Sequence, residues 1–156
     1  MMKILMVCLG NICRSPLADG LLRRKVREQN LDVVVDSAGT SGFHTGEAPD
    51  SRMIETAAKR GTDLSFLRAR PFTSSDFKQF DLIYVMDKNN FRAISGMASN
   101  DDEIQKIKMI LHEVNPTSEM EVPDPYYGTW KDFESVYDIL DEATDTIIFK
   151  IKNNQL

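Results

Sequence analysis

The sequence predicts an α/β fold: a small central parallel sheet of about four strands, in flavodoxin-like order, flanked by helices on both faces. Three observations predict it. Short apolar runs are bounded by turn residues, helical patterns lie between these runs, and the chain has 156 residues, the size of one ordinary domain. Strands that alternate with helices imply βαβ units whose sheet is covered on both faces. We therefore expect residues 1–156 to form a single domain.

The strands are predicted from short apolar runs, which are typical of strands buried on both faces of a sheet. The fourth run alternates more strongly between apolar and polar residues than the other three. In chain order the runs are "KILMVCL" at 3–9, "VVVDSA" at 33–38, "LIYVM" at 82–86 and "KIKMILH" at 106–112.

Three helices are predicted from apolar residues at helical spacing. The first follows a Ser15–Pro16 pair, because serine is a good N-cap and proline fits the first helical position. The second stops at Gly61, since glycine favours the left-handed conformation found at helix ends. The apolar faces are Leu17, Leu21, Leu22 and Val26 in the first helix, Met53, Ile54, Ala57 and Ala58 in the second, and Phe133, Val136, Tyr137, Leu140, Ala143, Ile147 and Ile151 in the last.

The longest irregular segment runs from about Glu113 to Trp130 and contains three prolines. A loop of this length inside a compact domain is usually functional. In open α/β sheets, ligands bind beyond the carboxyl ends of the strands. Cys8 lies at such an end, directly before a predicted helix, so we expect the chemistry there.

Composition narrows the class of protein. Hydrophobic residues make up 42% of the chain and charged residues 28%, as in ordinary globular proteins. No apolar run approaches the roughly 20 residues that cross a bilayer, and "MMKILMVCLG" is too short for a signal peptide. Two cysteines are too few for a disulfide framework. We therefore expect a cytoplasmic protein that is not inserted in a membrane.

The charge is unevenly distributed. The net charge of −5 argues against a nucleic-acid-binding protein. Residues 1–31, however, carry six Lys and Arg against two Asp and Glu, a balance of +4 that leaves −9 for the remainder. An anionic ligand is therefore favoured near the N-terminal segment.

The segment "CLGNICRS" suits a phosphate-binding loop. A turn from a strand into a helix lets several backbone N–H groups converge on one anion. Gly10 permits the tight or left-handed conformation that such a turn needs, and Asn11 is the next most tolerant residue. The guanidinium of Arg14 matches two phosphate oxygens at once. The predicted loop comprises Leu9, Gly10, Asn11, Ile12, Cys13 and Ser15 around these groups.

Cys8 lies at the base of this loop and is the predicted nucleophile. A field that attracts phosphate also favours the thiolate, and the Ser15 hydroxyl can donate to the sulfur. Attack by a positioned thiolate needs neither a metal nor a cofactor. A zinc site made of Cys8, Cys13, His44 and His112 is the weaker alternative, because C-x4-C is atypical zinc spacing. No P-loop or dinucleotide-binding glycine motif is present.

"VCLGNICRSP" at 7–16, together with "DPYYG" at 124–128, resembles the low-molecular-weight protein tyrosine phosphatases. The resemblance extends over nearly the whole chain, through "DSAGTSG", "RAR" and "VMD". It implies that phosphotyrosine proteins and small aryl phosphates are hydrolysed through a phosphocysteine on Cys8, with Arg14 binding phosphate. Asp124 then matches the family's general acid and base. Inorganic phosphate is expected as the product, and phosphate and other oxyanions are expected to inhibit the enzyme. The protein is expected to be a monomer or to self-associate weakly.

The resemblance also implies roles around the catalytic residues. Phe43, Tyr126 and Tyr127 match the aromatic wall of a deep cleft, with Leu9 and Ile12 at its floor. Asn11, Ser15 and Ser37 match the polar network that holds the loop, and Cys13 matches a thiol that protects Cys8 from irreversible oxidation. Many relatives place a histidine before "RAR" to bond the loop asparagine. Here Leu67 or Arg68 occupies that neighbourhood, so Asn11 needs support from elsewhere. His44 and His112 are taken as surface or packing residues.

Three other functions are weighed against this one. A protein-arginine phosphatase of the same fold tends to have threonine where this chain has Ile12. An arsenate reductase needs further cysteines, and none follows Cys13. The third alternative is a phosphotyrosine-binding module without turnover. Such a module does not need Cys8, Arg14 and Asp124 together, so the presence of all three favours an enzyme.

Overall fold

The computed structural model describes all 156 residues. Its sheet consists of β1 (Met2–Cys8), β2 (Val33–Gly39), β3 (Leu82–Val85) and β4 (Ile107–Met109). The helices are α1 (Arg14–Glu28), α2 (Ser51–Lys59), α3 (Asp76–Gln79), α4 (Lys88–Ser95), α5 (Asp101–Gln105) and α6 (Trp130–Lys152), with a 3₁₀ helix at Ile110–Glu113.

All strand pairs are parallel and the order is β2-β1-β3-β4. Flavodoxin-like sheets have the strand order 2-1-3-4-5, and these four strands match its first four positions. The predicted fold class is therefore confirmed. Because β1 has a neighbour on each side, the loop that follows it opens at the centre of the sheet's carboxyl edge. A ligand bound there can be reached by side chains from several strand ends.

Alternation along β1 separates two apolar layers. Ile4, Met6 and Cys8 face a large core formed with α1, α2 and α6. Leu5 and Val7 face a smaller core formed with α3 and α4. Side chains alternate between the faces of a strand, which explains the near-continuous apolar run of β1. Cys8 therefore ends the strand on the α1 side.

Two local predictions are wrong. The fourth strand was expected over 106–112, but β4 ends at Met109 because the chain turns into the 3₁₀ helix. Ser15 was expected as the N-cap of the first helix, but Cys13 holds that position and Arg14 is the first helical residue. The Ser15 hydroxyl is instead hydrogen-bonded within the loop, which leaves the helix start without a side-chain cap.

The end of the second predicted helix is confirmed: α2 ends at Lys59, and Gly61 follows with a positive φ of 86°. The short helices α3, α4 and α5 were not predicted, because four to eight residues carry little periodic signal. Among the helices, none combines the length and the apolar character needed to span a bilayer.

Candidate active site

The residues between β1 and α1 form a tight, buried loop. Cys8, Asn11, Arg14 and Ser15 each expose at most 3% of their surface, although three of the four are polar. Buried polar groups are costly unless they are hydrogen-bonded, so the partners of these side chains define what the loop is built for.

A chain of side-chain hydrogen bonds reaches the sulfur. Asn11 Nδ2 donates to Ser15 Oγ at 2.7 Å, and Ser15 Oγ lies 3.0 Å from Cys8 Sγ. The Ser15 oxygen accepts from Asn11, so its hydroxyl proton can be directed to the Cys8 sulfur or to the Ala38 carbonyl, which lies 3.5 Å away. Donation to a sulfur stabilises its anionic form. The arrangement thus places a hydroxyl group beside the sulfur of the predicted nucleophile.

Of the two residues that the sequence offers for a left-handed conformation, Asn11 adopts it, with φ of 56°, and Gly10 does not. Asparagine tolerates this conformation better than most residues, and here its side chain is fixed at both ends. A Cβ on Gly10 would lie 3.2 Å from His44 Cδ2, so the His44 side chain would have to move by a few tenths of an ångström to accept it.

Arg14 donates hydrogen bonds to the surrounding protein and also lines the cavity. Its Nη1 donates to Asp87 Oδ2 at 2.7 Å and to the Val122 carbonyl at 3.0 Å, while its Nε is buried without a hydrogen-bond partner. Burial opposes the charged form, but the charge on Cys8 and the hydrogen bond to Asp87 outweigh it and raise the pKa of Arg14. A permanent cation with a free Nε–H suits an oxyanion.

Asp124 lies on the opposite side of the cavity. Its Oδ2 is 3.7 Å from Arg14 Nη2, and its Oδ1 accepts the Tyr126 backbone N–H at 3.1 Å. The side chain remains 39% exposed, so it can exchange a proton with solvent and with a leaving group.

These groups share one cavity of about 370 Å³, which is within the range of small-molecule sites. It brings together all of the predicted catalytic, floor and wall residues. Phe43 and Tyr127 form its rim and are 89% and 93% exposed. The lining consists of Cys8, Leu9, Gly10, Ile12, Cys13, Arg14, Ser41, Phe43, His44, Asp124, Tyr126 and Tyr127.

The tyrosine wall is attached to α2. Arg52 Nη2 donates to the Tyr126 carbonyl at 2.9 Å, and its guanidinium stacks 4.6 Å from the centre of the Phe133 ring. Tyr126 in turn packs edge-on against Tyr127, with ring centres 4.9 Å apart. Arg52 therefore positions this wall from behind.

The sequence analysis places Ser37 in the polar network of the loop, but in the structure Ser37 lies outside this network. The Ser15 hydroxyl lies 3.5 Å from the carbonyl of the next residue, Ala38, whereas Ser37 faces Asp19. Burial raises the pKa of Asp19 to about 6, against the opposing effects of Arg23 and the Ser37 hydroxyl. Ser37 pairs with Met6, two residues before Cys8, so its side chain lies on the α1 face below the loop, where Asp19 accepts its hydroxyl.

The two cysteines have different environments. Neither forms a disulfide, and both are buried. Burial, followed by the negative charge of Asp50, raises the pKa of Cys13 far above that of an ordinary thiol. Cys13 is therefore a neutral thiol at physiological pH, and Cys8, with its hydroxyl donor, is the better nucleophile.

The four side chains of the zinc alternative do not come together. Cys8, Cys13 and His44 line the catalytic cavity, whereas His112 bonds the Ser118 carbonyl and lines a different cavity. His44, taken from the sequence as a surface or packing residue, lies at the cavity and pairs with Glu47.

Two residues that orient the site were missed by the sequence analysis. Asp87 bonds Arg14 through one carboxylate oxygen and caps α4 through the other. Its position directly after the third apolar run is a signal that could have found it, because Cys8 also lies at the carboxyl end of an apolar run. Arg52 lies within a helix and gives no such signal.

Comparison with known proteins shows extensive similarity. Residues 3–156 match the family model described as low molecular weight phosphotyrosine protein phosphatase. The human low molecular weight phosphotyrosine protein phosphatase is 42% identical over 138 residues, 86% of either chain. A protein tyrosine phosphatase from Entamoeba histolytica, solved with Hepes in the active site, superimposes with a TM-score of 0.93 at 39% identity over 100% of both chains. Wzb from Vibrio vulnificus, solved with benzylphosphonate, gives 0.85 at 29% identity over 96% of this chain and 98% of that one.

Proposed function

Because the chain belongs to the low molecular weight phosphotyrosine protein phosphatase family, we propose that residues 1–156 form one phosphatase domain that acts through a phosphocysteine on Cys8. The observation that carries this proposal is the shared cavity. Cys8, Arg14, whose Nε has no hydrogen-bond partner, and the partly exposed Asp124 all line it. A nucleophile, an anion-binding cation and a proton donor are the groups that phosphomonoester cleavage needs.

In the first step, the Cys8 sulfur attacks phosphorus and the bond to the phenolic oxygen of tyrosine breaks. Protonated Asp124 gives its proton to that oxygen, so tyrosine leaves as the neutral phenol. Arg14 and the loop N–H groups hold the three equatorial oxygens, where negative charge develops.

In the second step, water attacks phosphorus and the bond to sulfur breaks. The ionised Asp124 takes a proton from this water, and inorganic phosphate is released. The Ser15 hydroxyl, 3.0 Å from the sulfur, stabilises the thiolate as it departs. Both steps use side chains of this chain alone.

The walls of the cavity support an aromatic substrate. Phe43 and Tyr127 rise above a floor that includes Ile12. A tyrosyl ring spans this depth and places its phosphate at Cys8, whereas phosphoserine is too short. The benzylphosphonate bound to the Vibrio vulnificus relative joins a phosphonate to one aromatic ring, as in this substrate class.

Rapid acid quench with a ³²P-labelled phosphotyrosine peptide tests the mechanism. Label is expected on a peptide containing Cys8, and its absence at every quench time would exclude the intermediate. A parallel assay with phosphoarginine peptides tests the alternative: we expect phosphate release from phosphotyrosine only. Preference for phosphoarginine would instead favour a protein-arginine phosphatase.

We also propose that Cys13 protects Cys8 during oxidation. Peroxide converts the Cys8 thiolate to a sulfenic acid, and the Cys13 thiol then displaces water to form a disulfide. Thiol treatment is expected to restore most activity to the oxidised parent and much less to Cys13→Ser. Equal recovery of the two proteins would contradict the role.

The remaining proposals concern the protein in its environment. We propose a cytoplasmic monomer, or one that self-associates weakly, inhibited by inorganic phosphate. Sedimentation velocity across a range of protein concentrations tests the first property, and phosphate inhibition of p-nitrophenyl phosphate hydrolysis tests the second.

A further inference from the structure

The catalytic loop depends on a residue in a conformation that side chains rarely adopt. Asn11 has a φ of 56°, is 2% exposed, and passes a hydrogen bond to Ser15 and so to the Cys8 sulfur. To donate through Nδ2, its amide must be fixed in one orientation. That orientation requires a donor for Oδ1 on the other side.

The donor is the backbone N–H of Arg70, 3.1 Å from Asn11 Oδ1. Fifty-nine residues separate the two positions in sequence. A backbone donor can be placed this accurately only if its own segment is held rigidly, because a loop amide has no side-chain freedom with which to adjust.

The segment is held by the Arg70 side chain. Its guanidinium forms a two-pronged pair with Asp76, with both contacts at 3.1 Å, and its Nη2 also bonds Asp36 Oδ2 at 3.0 Å. Asp76 is only 4% exposed at its side chain, so the carboxylate of this pair is shielded from solvent. One arginine thus ties its loop to β2 and to α3.

The backbone of the same segment is fixed on both sides. The Arg70 carbonyl accepts from Gly39 N–H at 2.9 Å, at the end of β2. The adjacent Ala69 donates to the Glu47 carbonyl at 2.9 Å and accepts from Gly46 at 2.8 Å, in the loop that carries the aromatic rim. The segment therefore lies between the phosphate loop and one wall of the cavity.

We propose that Arg70 is a positioning residue for catalysis: through its pairs with Asp36 and Asp76 it fixes the backbone N–H that orients Asn11, and thereby Ser15 and the Cys8 sulfur. This inference rests on the proposed function for its kinetic readout. It also explains how the loop asparagine is supported in a chain that has Leu67 and Arg68 where many relatives have a histidine.

The test compares Arg70→Gln with Arg68→Gln. Arg68 is a matched control because its guanidinium bonds only the local carbonyls of Ser65 and Leu67. We expect Arg70→Gln to lower kcat about tenfold and to raise the inhibition constant of inorganic phosphate, since small misplacements of a reacting group are costly. Arg68→Gln should change neither. Arg70→Lys, which keeps one charged contact, should recover part of the loss.

A double-mutant cycle with Asn11→Gly separates positioning from general stability. Glycine keeps the left-handed backbone but removes the amide that Arg70 orients. We expect Arg70→Gln to have less than about a twofold effect on kcat in this background, because residues in one network are not additive. The proposal is overturned if Arg70→Gln lowers kcat by the same factor in the parent and in Asn11→Gly. It is also overturned if the loss of activity is no larger than the unfolded fraction measured in thermal melts.

Asp36→Asn provides a milder variant if Arg70→Gln fails to fold, because Asp36 is 44% exposed at its side chain and the buried Asp76 pair remains. It should lower kcat about two- to threefold with an unchanged melting temperature. An unchanged kcat in this folded variant would count against the role. Phosphate binding measured by calorimetry reports on the loop even in a protein without turnover. Failure of the proposed reaction can therefore be distinguished from failure of this inference.

Discussion

The two sides of the catalytic cavity are built differently. On the phosphate-loop side, Cys8, Asn11, Arg14 and Ser15 are almost fully buried and each has at least one side-chain hydrogen bond. On the opposite side, Asp124 is 39% exposed. A buried site held by hydrogen bonds stabilises developing charge without having to reorganise, whereas a proton donor that must also meet water is useful only if water can reach it. This difference predicts that removing the nucleophile on the buried side abolishes most of the activity. On the exposed side, the loss of activity should depend on whether the residue takes part in the chemistry or only lines the rim.

The largest effect is expected for Cys8→Ser. Because serine keeps the shape of the loop but removes the thiolate, p-nitrophenyl phosphate hydrolysis should fall by at least about 10⁴-fold. The assay is run with a chelator, and thermal melting checks that the variant is folded. Substantial turnover by the folded variant would show that the buried side does not supply the nucleophile.

On the exposed side, Asp124→Asn should lower kcat by about 10²- to 10³-fold, since asparagine fills the site but cannot donate the proton. The loss should be greater with phenyl phosphate than with p-nitrophenyl phosphate, whose leaving group needs no proton. If both substrates lose activity equally, Asp124 acts in some other way than as the acid of the first step.

Gly39→Ala tests how closely the buried side is packed. An added Cβ would lie 2.8 Å from the Leu9 carbonyl and 3.1 Å from Asn11 Cβ, so the loop must shift. We expect kcat/KM to fall about tenfold, because a displaced loop loses alignment with phosphate. Gly42→Ala is the control, since its Cβ would meet nothing closer than 3.5 Å. Similar activities of the two variants would mean that the loop tolerates displacement.

The smallest effect is expected at the exposed rim. Tyr127→Ala should raise KM for phosphotyrosine peptides about two- to fivefold with little change in kcat, because a side chain that is 93% exposed contributes modest contact area. The inhibition constant of inorganic phosphate, which does not reach the rim, should be unchanged. A large fall in kcat would place Tyr127 in the chemistry instead.

The sequence was most informative where function depends on neighbours in the chain. Cys8, Arg14 and Ser15 lie within eight residues of one another, and their spacing between a strand and a helix predicted both the loop and its ligand. The fold class followed from alternating strand and helix patterns, because parallel strands buried on both faces are continuously apolar.

What could not be predicted depends on contacts between distant residues. Arg70 reaches the loop only through the path of its own segment and leaves no local pattern. Asp87 follows an apolar run, but its contact with Arg14 depends on the sheet order. The left-handed conformation fell on Asn11 and not on Gly10 because hydrogen bonds at both ends of the asparagine fix it there. Propensity alone favours glycine at such a position.

The contact between Arg14 and the Val122 carbonyl joins residues 108 positions apart. While the protein is being synthesised, the segment bearing the reactive sulfur emerges long before the segment bearing its acid. A partly made or truncated chain therefore carries a cysteine whose arginine lacks one of its anchors and which has no proton donor. Under the proposed mechanism, we therefore expect chains that end before Asp124 to be far less active than the full chain.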